Sequence, residues 1–450
     1  MVVYFGLALD EHFEQELLPA HNWAHYLGPS GLMQLLETAC GLDHSTPDMD
    51  YLRIPVYRKA IVRLLEEQAN RFFSGSFASD QFATSKDLLQ KRDELLLAGW
   101  DFQSEPETPP YLAVFADLEK IITADETIHE LISKGFADRF TRLLEAIPQT
   151  EIPFHTLIHV EPLSLLPVFW QRLLAALAAK GLTVVAQGHH SEKESGDLQL
   201  IQQMLGENSS QKINLKGDGS FLILKSKRAV DLARQLSKIV AENEDFKPTC
   251  LLMDHSLLFD MALSEEGQAA LGLSQPSLSR PGQQVLKLAG SFLWHPVDPA
   301  KILEFTGLAV KPLQADLAHA IARYISERPG LMGEGWNSIV FGALARLGQR
   351  STELAEEAKA QYRFWFERKR YDIQRDAPKS EAISIFRYIQ FWALKQAGKE
   401  SGAIFGQLAE QSRKAAELLD AIPEERITAL DIERVVRTIF EPLNTHLHPP

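Results

Sequence analysis

Apolar residues recur at helical spacing through much of 30–180. Leu32, Leu35 and Leu36 are followed by Ile61, Leu64 and Leu65, and then by Leu88, Leu89, Leu95 and Leu96, so this stretch is expected to be mostly helical. Gly99 stands where a helix C-terminal stop belongs. The segment 103–110 holds three prolines among polar residues and reads as a surface connection. Asp125 and Glu126 then open an amphipathic helix expected to run to about Ala146. After Pro148 the period changes. The run 154–160 is β-branched and apolar, a buried strand; 163–179 is a helix stopped by Lys180-Gly181, and 182–186 is a second strand. Strand, helix and strand in this order form a βαβ unit, which favours a parallel sheet covered by helices.

The stretch 189–219 is polar and rich in Gly, Ser and Asn, and reads as a domain boundary. Beyond it the rhythm repeats, with a strand expected at 220–224, a helix at 229–242, a strand at 250–253 and a helix at 257–271. From 281 to 442 nearly everything is helical, punctuated at 296–299, Pro312, Pro329-Gly330, Pro378 and Pro423. No fixed-period repeat is visible, so a solenoid is not expected. The tail 444–450 has no cap or closing element and reads as a cut in a longer chain.

Composition narrows the function classes. The chain has 450 residues, with 46 Lys+Arg against 60 Asp+Glu and a formal charge of −14. That length suits roughly two to four domains. No stretch approaches the ~18 uninterrupted apolar residues of a membrane helix, and the start, soon reaching Asp10-Glu11, does not read as a secretion signal. Cys40 and Cys250 are the only cysteines, too few for a four-thiolate zinc site, an iron–sulfur cluster or a disulfide framework. A reducing, cytoplasmic compartment is the expectation. The negative balance disfavours a free-standing nucleic-acid binder, so any such contact must be a local patch or come through a partner subunit.

The first candidate for chemistry is Leu27-Gly28-Pro29-Ser30-Gly31-Leu32, a glycine-rich turn opening a helix, which can cradle phosphate with backbone N–H groups. Laid on G-x-x-x-x-G-K-S/T from Gly28, the sequence places Met33 at the second glycine, Gln34 at the lysine and Leu35 at the hydroxyl. All three demanding positions fail. A plain strand-to-helix turn is the simpler reading, and ATP turnover is not expected. Glu161, at the end of the 154–160 strand, occupies the place where a P-loop enzyme holds magnesium, but Pro162 follows it instead of a second acid. A solvated helix-start carboxylate is its simpler role. His155 and His159 lie about 13 Å apart if they share a strand face, too far for one metal, and His189-His190 reads as loop. The Arg92-Asp93 pair near Trp100 is expected to organise a helix end.

The segment 359–375 interleaves Lys359, Arg363, Arg368, Lys369, Arg370 and Arg375 with Tyr362, Phe364, Trp365, Phe366 and Tyr371. Basic groups among aromatics can hold single strands by phosphate pairing and base stacking. Tyr362, Trp365, Phe366 and Lys369 also have the spacing of a helix burying its aromatic face with arginines at the edge. The two readings are compatible, since one face can pack while Arg363 and Arg370 face out.

In element order the chain resembles the N-terminal half of AddB/RexB-type helicase–nuclease subunits of the PD-(D/E)XK nuclease family. The resemblance rests on the Gly28–Gly31 turn, on Phe72-Phe73-Ser74-Gly75-Ser76-Phe77 leading into the 88–100 helix and Trp100, and on Gly217-Asp218-Gly219-Ser220. Leu293-Trp294-His295-Pro296-Val297-Asp298-Pro299 and Arg328-Pro329-Gly330-Leu331-Met332-Gly333 complete it. It implies an α/β fold of two RecA-like, P-loop NTPase-like parallel-sheet domains. Residues 1–215 would be the first, with a helical insertion at about 30–150. Residues 216–450 would begin the second, at about 216–280, and continue into a helical insertion at about 281–442. The implied role is a non-motor scaffold in DNA double-strand-break processing that docks an AddA/RexA-like motor subunit and guides DNA ends or single-stranded DNA. Catalytic residues, magnesium and any iron–sulfur cluster would belong to a nuclease domain following this chain. A protein–protein adaptor using 281–442 as its docking surface, and a small-molecule α/β enzyme, are the alternatives.

Overall fold

A computed structural model describes residues 1–7, 9–10, 24–42, 49–104, 107–187, 196–206, 212–243, 257–268, 281–328, 331, 333–398 and 402–440. In chain order the first elements are β1 (Val2–Phe5), β2 (Ala24–Leu27), α1 (Pro29–Ala39), α2 (Asp50–Glu67), α3 (Ser74–Ser79), α4 (Gln81–Leu97), α5 (Pro110–Ala124), α6 (Glu126–Ile132) and α7 (Phe136–Ala146). They are followed by β3 (Thr156–His159), α8 (Val168–Ala179), β4 (Thr183–Ala186), α9 (Asp197–Gly206), α10 (Ala229–Glu242) and α11 (Leu257–Glu265). The C-terminal part holds α12 (Pro281–Ala289), β5 (Trp294–His295), α13 (Pro299–Gly307), α14 (Ala315–Glu327), α15 (Glu334–Arg350), α16 (Thr352–Phe366), β6 (Tyr371–Asp372), β7 (Ala377–Pro378), α17 (Lys379–Ala397), α18 (Gly402–Ala421), β8 (Arg426–Ile427) and α19 (Ala429–Phe440).

Local chemistry fixes many of these boundaries. Pro29 starts α1 with its φ already set for a helix. The Asp80 carboxylate accepts from the Ala83 N–H at 2.8 Å and caps α4, and Gly99, at φ +93°, ends that helix in the left-handed conformation. The helix expected over 125–146 is two helices, because the chain turns at 133–135 and Gly135 becomes the N-cap of α7. Glycine is a weak helix interior residue and a good place to break one.

By compactness the chain forms one unit of 1–187 with 277–442 and a second of 188–276 with 443–450. These divisions fall at different places from the 215/216 boundary that the resemblance implies. In the first unit four strands form a parallel sheet in the order β2-β1-β3-β4. The chain runs from β1 to β2 on one side and then crosses to β3 on the other, so the carboxyl ends of β1 and β3 flank a topological switch point. Val3, Phe5 and Leu157 of the sheet pack with Leu32, Met33 and Leu36 of α1, Phe140 and Leu143 of α7, and Trp170, Leu173, Leu174 and Leu177 of α8.

A second, larger core in the same unit is built mainly from helices, with Trp294, Ala377 and Ile427 of the short strands joining it. Tyr57, Ile61 and Leu64 of α2 and Leu118 and Ile122 of α5 share it with Phe292, Phe305, Trp365, Phe386, Leu419 and Val435 from the C-terminal half. Polar links reinforce it: the Tyr51 hydroxyl donates to Glu417 at 2.5 Å, and Arg58 pairs with Glu424 at 2.5 Å. The helices of 49–132 and 281–440, expected as insertions in separate domains, therefore bury one another. Short pairs β5–β6 and β7–β8 pin the connections between the later helices.

In the second unit α10 and α11 enclose a small core of Ala233, Phe259, Ala262 and Leu263. Helix α10 has the bounds expected from its pattern. Among the described residues of 188–276 there is no strand. The strand expected at 220–224 is absent: the chain bends at Gly217 and Gly219, both at positive φ, and Leu222 and Ile223 are exposed without a ladder partner. A strand needs a neighbour to satisfy its backbone, and the neighbour expected for it, 250–253, lies outside the described residues. The parallel α/β layer is thus a single four-stranded sheet among the described residues.

Candidate functional site

The switch-point crevice is the default place for a ligand in a doubly wound sheet, and the Gly28 turn and Glu161 both lie along that carboxyl edge. The turn is minimal. Helix α1 starts at Pro29, directly after Gly28, so no extended phosphate loop exists between strand and helix. Met33 is buried in the sheet-layer core, Leu35 packs partly against it, and Gln34 is exposed. Gly31 lies inside the first turn of the helix.

The free N–H groups at the start of α1 already have an anion. The Asp10 carboxylate, from the loop after β1, accepts from the Ser30 N–H at 2.5 Å and the Gly31 N–H at 3.1 Å. It thereby satisfies donors that a phosphate would otherwise take, in the favourable field of a helix N-terminus. Gly28 makes this approach possible, because a Cβ there would overlap the Asp10 backbone nitrogen.

The same β1 loop reaches the other side of the crevice. The Leu7 N–H donates to Glu161 Oε1 at 2.8 Å, and the Val160 N–H donates to the Phe5 carbonyl at 2.8 Å. Glu161 therefore ties β3 to β1 instead of capping a helix start. Its second oxygen, Oε2, is buried without a hydrogen-bond partner among the described residues. His159 is buried, with Nδ1 2.7 Å from the Glu161 carbonyl oxygen. His155 is exposed and precedes the strand, and His189-His190 lie outside the described residues. Among the described residues no group of three or more His, Cys, Asp or Glu side chains is arranged to hold a metal ion.

The basic segment divides into two kinds of cation. On the packed face Tyr362, Trp365 and Phe366 are buried, as the helical spacing requires, and Trp365 Nε1 donates to the Pro312 carbonyl at 2.9 Å. Arg368 joins this internal structure. Its side chain is only 8% exposed, pairs with Glu381 at 3.0 Å and lies 5.1 Å from the centre of the Phe364 ring, which stacks on Tyr388 at 3.7 Å. Burial holds the Arg368 guanidinium below its usual range, and Glu381 offsets this only in part. Arg370 donates to the Trp365 and Phe366 carbonyls at 3.3 and 3.2 Å, closing the C-terminus of α16. Arg363 and Lys369 are exposed, with Glu367 3.9 Å from Arg363 and the Tyr371 ring 5.2 Å from Lys369.

Two features escaped the sequence. Asp10 sits twenty residues from the amides it binds, and nothing in the local pattern connects them. Arg92 is not a helix-end organiser but the centre of a buried ion cluster, 2% exposed, with Glu119 and Asp138 each gripping it in bidentate fashion at 2.8–2.9 Å. A groove of about 510 Å³ elsewhere, floored by Leu288, Trp294, Ile432 and Val436, mixes Lys287 and Lys301 with Asp298 and Glu304 at its rim and presents no convergent acid–base pair. No protein-family model matches the chain, and no curated protein matches it either.

Proposed function

We propose that this chain is a non-motor scaffold in a DNA-end-processing helicase–nuclease assembly, in which it docks a motor subunit and guides DNA without turning over nucleotide. The observation that carries this reading is the Asp10 carboxylate on the Ser30 and Gly31 amides. A motor keeps those donors for phosphate and supplies lysine and hydroxyl beside them. Here an internal anion holds the donors, while Gln34 and Leu35 stand at the other two places. The second RecA-like domain, the division at 215/216 and the AddB/RexB relationship belong to the same proposal. They rest on the order of sequence elements quoted above and on a parallel α/β layer joined to a large helical body.

Guidance of DNA falls to exposed cations. Arg363 and Lys369 remain available, whereas Arg368 and Arg370 serve the fold. Magnesium and any iron–sulfur cluster would be held by a nuclease domain beyond this chain. The test is ATP turnover and single-stranded DNA affinity of the purified chain. The expected result is no turnover above background, with DNA affinity that falls as salt rises. Turnover abolished by a substitution in the Gly28–Gly31 turn overturns the reading.

A second reading, a protein–protein adaptor without nucleic acid, is favoured by the −14 net charge and by the internal pairing of Arg368. DNA mobility unchanged at low salt, where phosphate contacts are strongest, selects it.

A further inference from the structure

Between the sheet layer and the helical body of the first unit lies a seam of charge. Helix α7 packs Phe140 and Leu143 against the sheet, while its Asp138 turns to the helical body. There Arg92 of α4 binds both Asp138 oxygens at 2.8 Å and Glu119 of α5 at 2.8 and 2.9 Å. Arg53 of α2 grips Asp93 at 2.7 and 2.8 Å, approaches Asp138 to 3.6 Å and donates through Nε to the Ile132 carbonyl at 3.1 Å. Gly135 leaves room for this arginine, since a Cβ there would overlap its guanidinium. On the other side Arg172 of α8 reaches the Leu97 carbonyl at the end of α4, at 3.2 Å.

Apolar interfaces resist opening because water must cover the exposed surface. Ion pairs behave differently: they demand one alignment while they hold, contribute little net stability when buried, and are resolvated readily once parted. Interfaces of this polar kind are the ones across which bodies move. We propose that the seam is a hinge, with Arg92–Asp138 as its clasp, about which the sheet layer (β1, β2, α1, α7, β3, α8 and β4) moves as one body against α2, α4 and α5. Helix α7 travels with the sheet because its apolar face stays packed there. The inference does not depend on DNA or nucleotide.

Hydrogen exchange of the full chain, followed by mass spectrometry, tests it with Asp138→Asn and Asp138→Glu. The first removes the charge and the second keeps it but lengthens the arm, so the test survives if one variant fails to fold. The expected result is faster exchange, by about tenfold or more, across β1, β3, α1, α7 and α8 as a block, with α2 and α5 unchanged. An equal rise in both sets of peptides, showing a single cooperative body, overturns the hinge. So does no rise in either.

Discussion

At the residue scale, Gly28 and Asp10 form one unit. The glycine is required for close approach, and the carboxylate takes the helix donors. Gly28→Ala is expected to destabilise the fold by about 1–3 kcal/mol, because the clash is with backbone that cannot rotate away. Asp10→Ala is expected to cost about 1 kcal/mol, the ordinary value of a helix cap, without creating ATPase activity, since Gln34 and Leu35 remain. Urea unfolding of both variants checks these values. The arginines of the basic segment separate in the same way. Arg368→Ala should lower stability by about 1–2 kcal/mol through loss of its pairing with Glu381, a carboxylate exposed enough for water to take over part of the contact. Arg363→Ala with Lys369→Ala should leave stability unchanged and weaken DNA binding equally for all sequences, with a shallower salt dependence. The alternation of basic and aromatic types was legible along the chain. Which cation faces inward was not, because Arg368 and Lys369 are neighbours and only the position of Glu381 on α17 decides between them.

At the element scale, segments with a complete local signal were readable. β3, β4 and α10 carry β-branched runs or an amphipathic period with stops at their ends. β1 and β2 have four residues each, and the placing of β2 and β3 on either side of β1 is set by contacts across the chain. The 220–224 segment shows the converse: an apolar run reads as a strand, yet the described structure gives a bend at 219–221 and leaves 220–224 without a ladder. There Asp218 accepts from the Ser220 hydroxyl at 2.6 Å and the Asp197 N–H at 2.9 Å, and Asp197 accepts in return from the Lys216 and Gly217 amides at 2.8 and 2.6 Å. The Ser220 hydroxyl bond, with the backbone donors of Ser220 and Asp197, holds the Asp218 carboxyl below its usual 3.8. A lowered carboxyl contributes stability that is complete above 3.8 and is lost as pH falls through the lower folded value. Protection of the first turn of α9 should therefore persist at pH 5 and fade on further acidification, and Ser220→Ala should move that fading to higher pH. Amide exchange of the peptide containing Asp197 across pH measures it.

At the scale of the whole molecule, the pattern of apolar positions bounded the chain as helix-rich α/β, and no helix among the described residues is long and apolar enough to cross a membrane. What could not be read was that helices more than two hundred positions apart share one core. Trp365 illustrates the dependence. It is fully buried, with Phe292 and Phe305 rings at 5.0 and 4.9 Å. Trp365→Ala should cost about 3–5 kcal/mol, as large-to-small changes in packed aromatic cores do, and calorimetry should show the helices of 49–132 melting earlier together with those of 281–440. The candidate nucleotide site was legible only in the negative, from residues missing at the lysine and hydroxyl positions. Its occupation by Asp10 required the fold. The most direct measurement is the affinity of the purified chain for a fluorescent single-stranded DNA over a range of salt, with and without magnesium ATP. The expected result is binding that weakens steadily with salt, drops on Arg363→Ala with Lys369→Ala, and is the same with and without nucleotide. Affinity that changes on adding magnesium ATP, or no binding at the lowest salt, contradicts it.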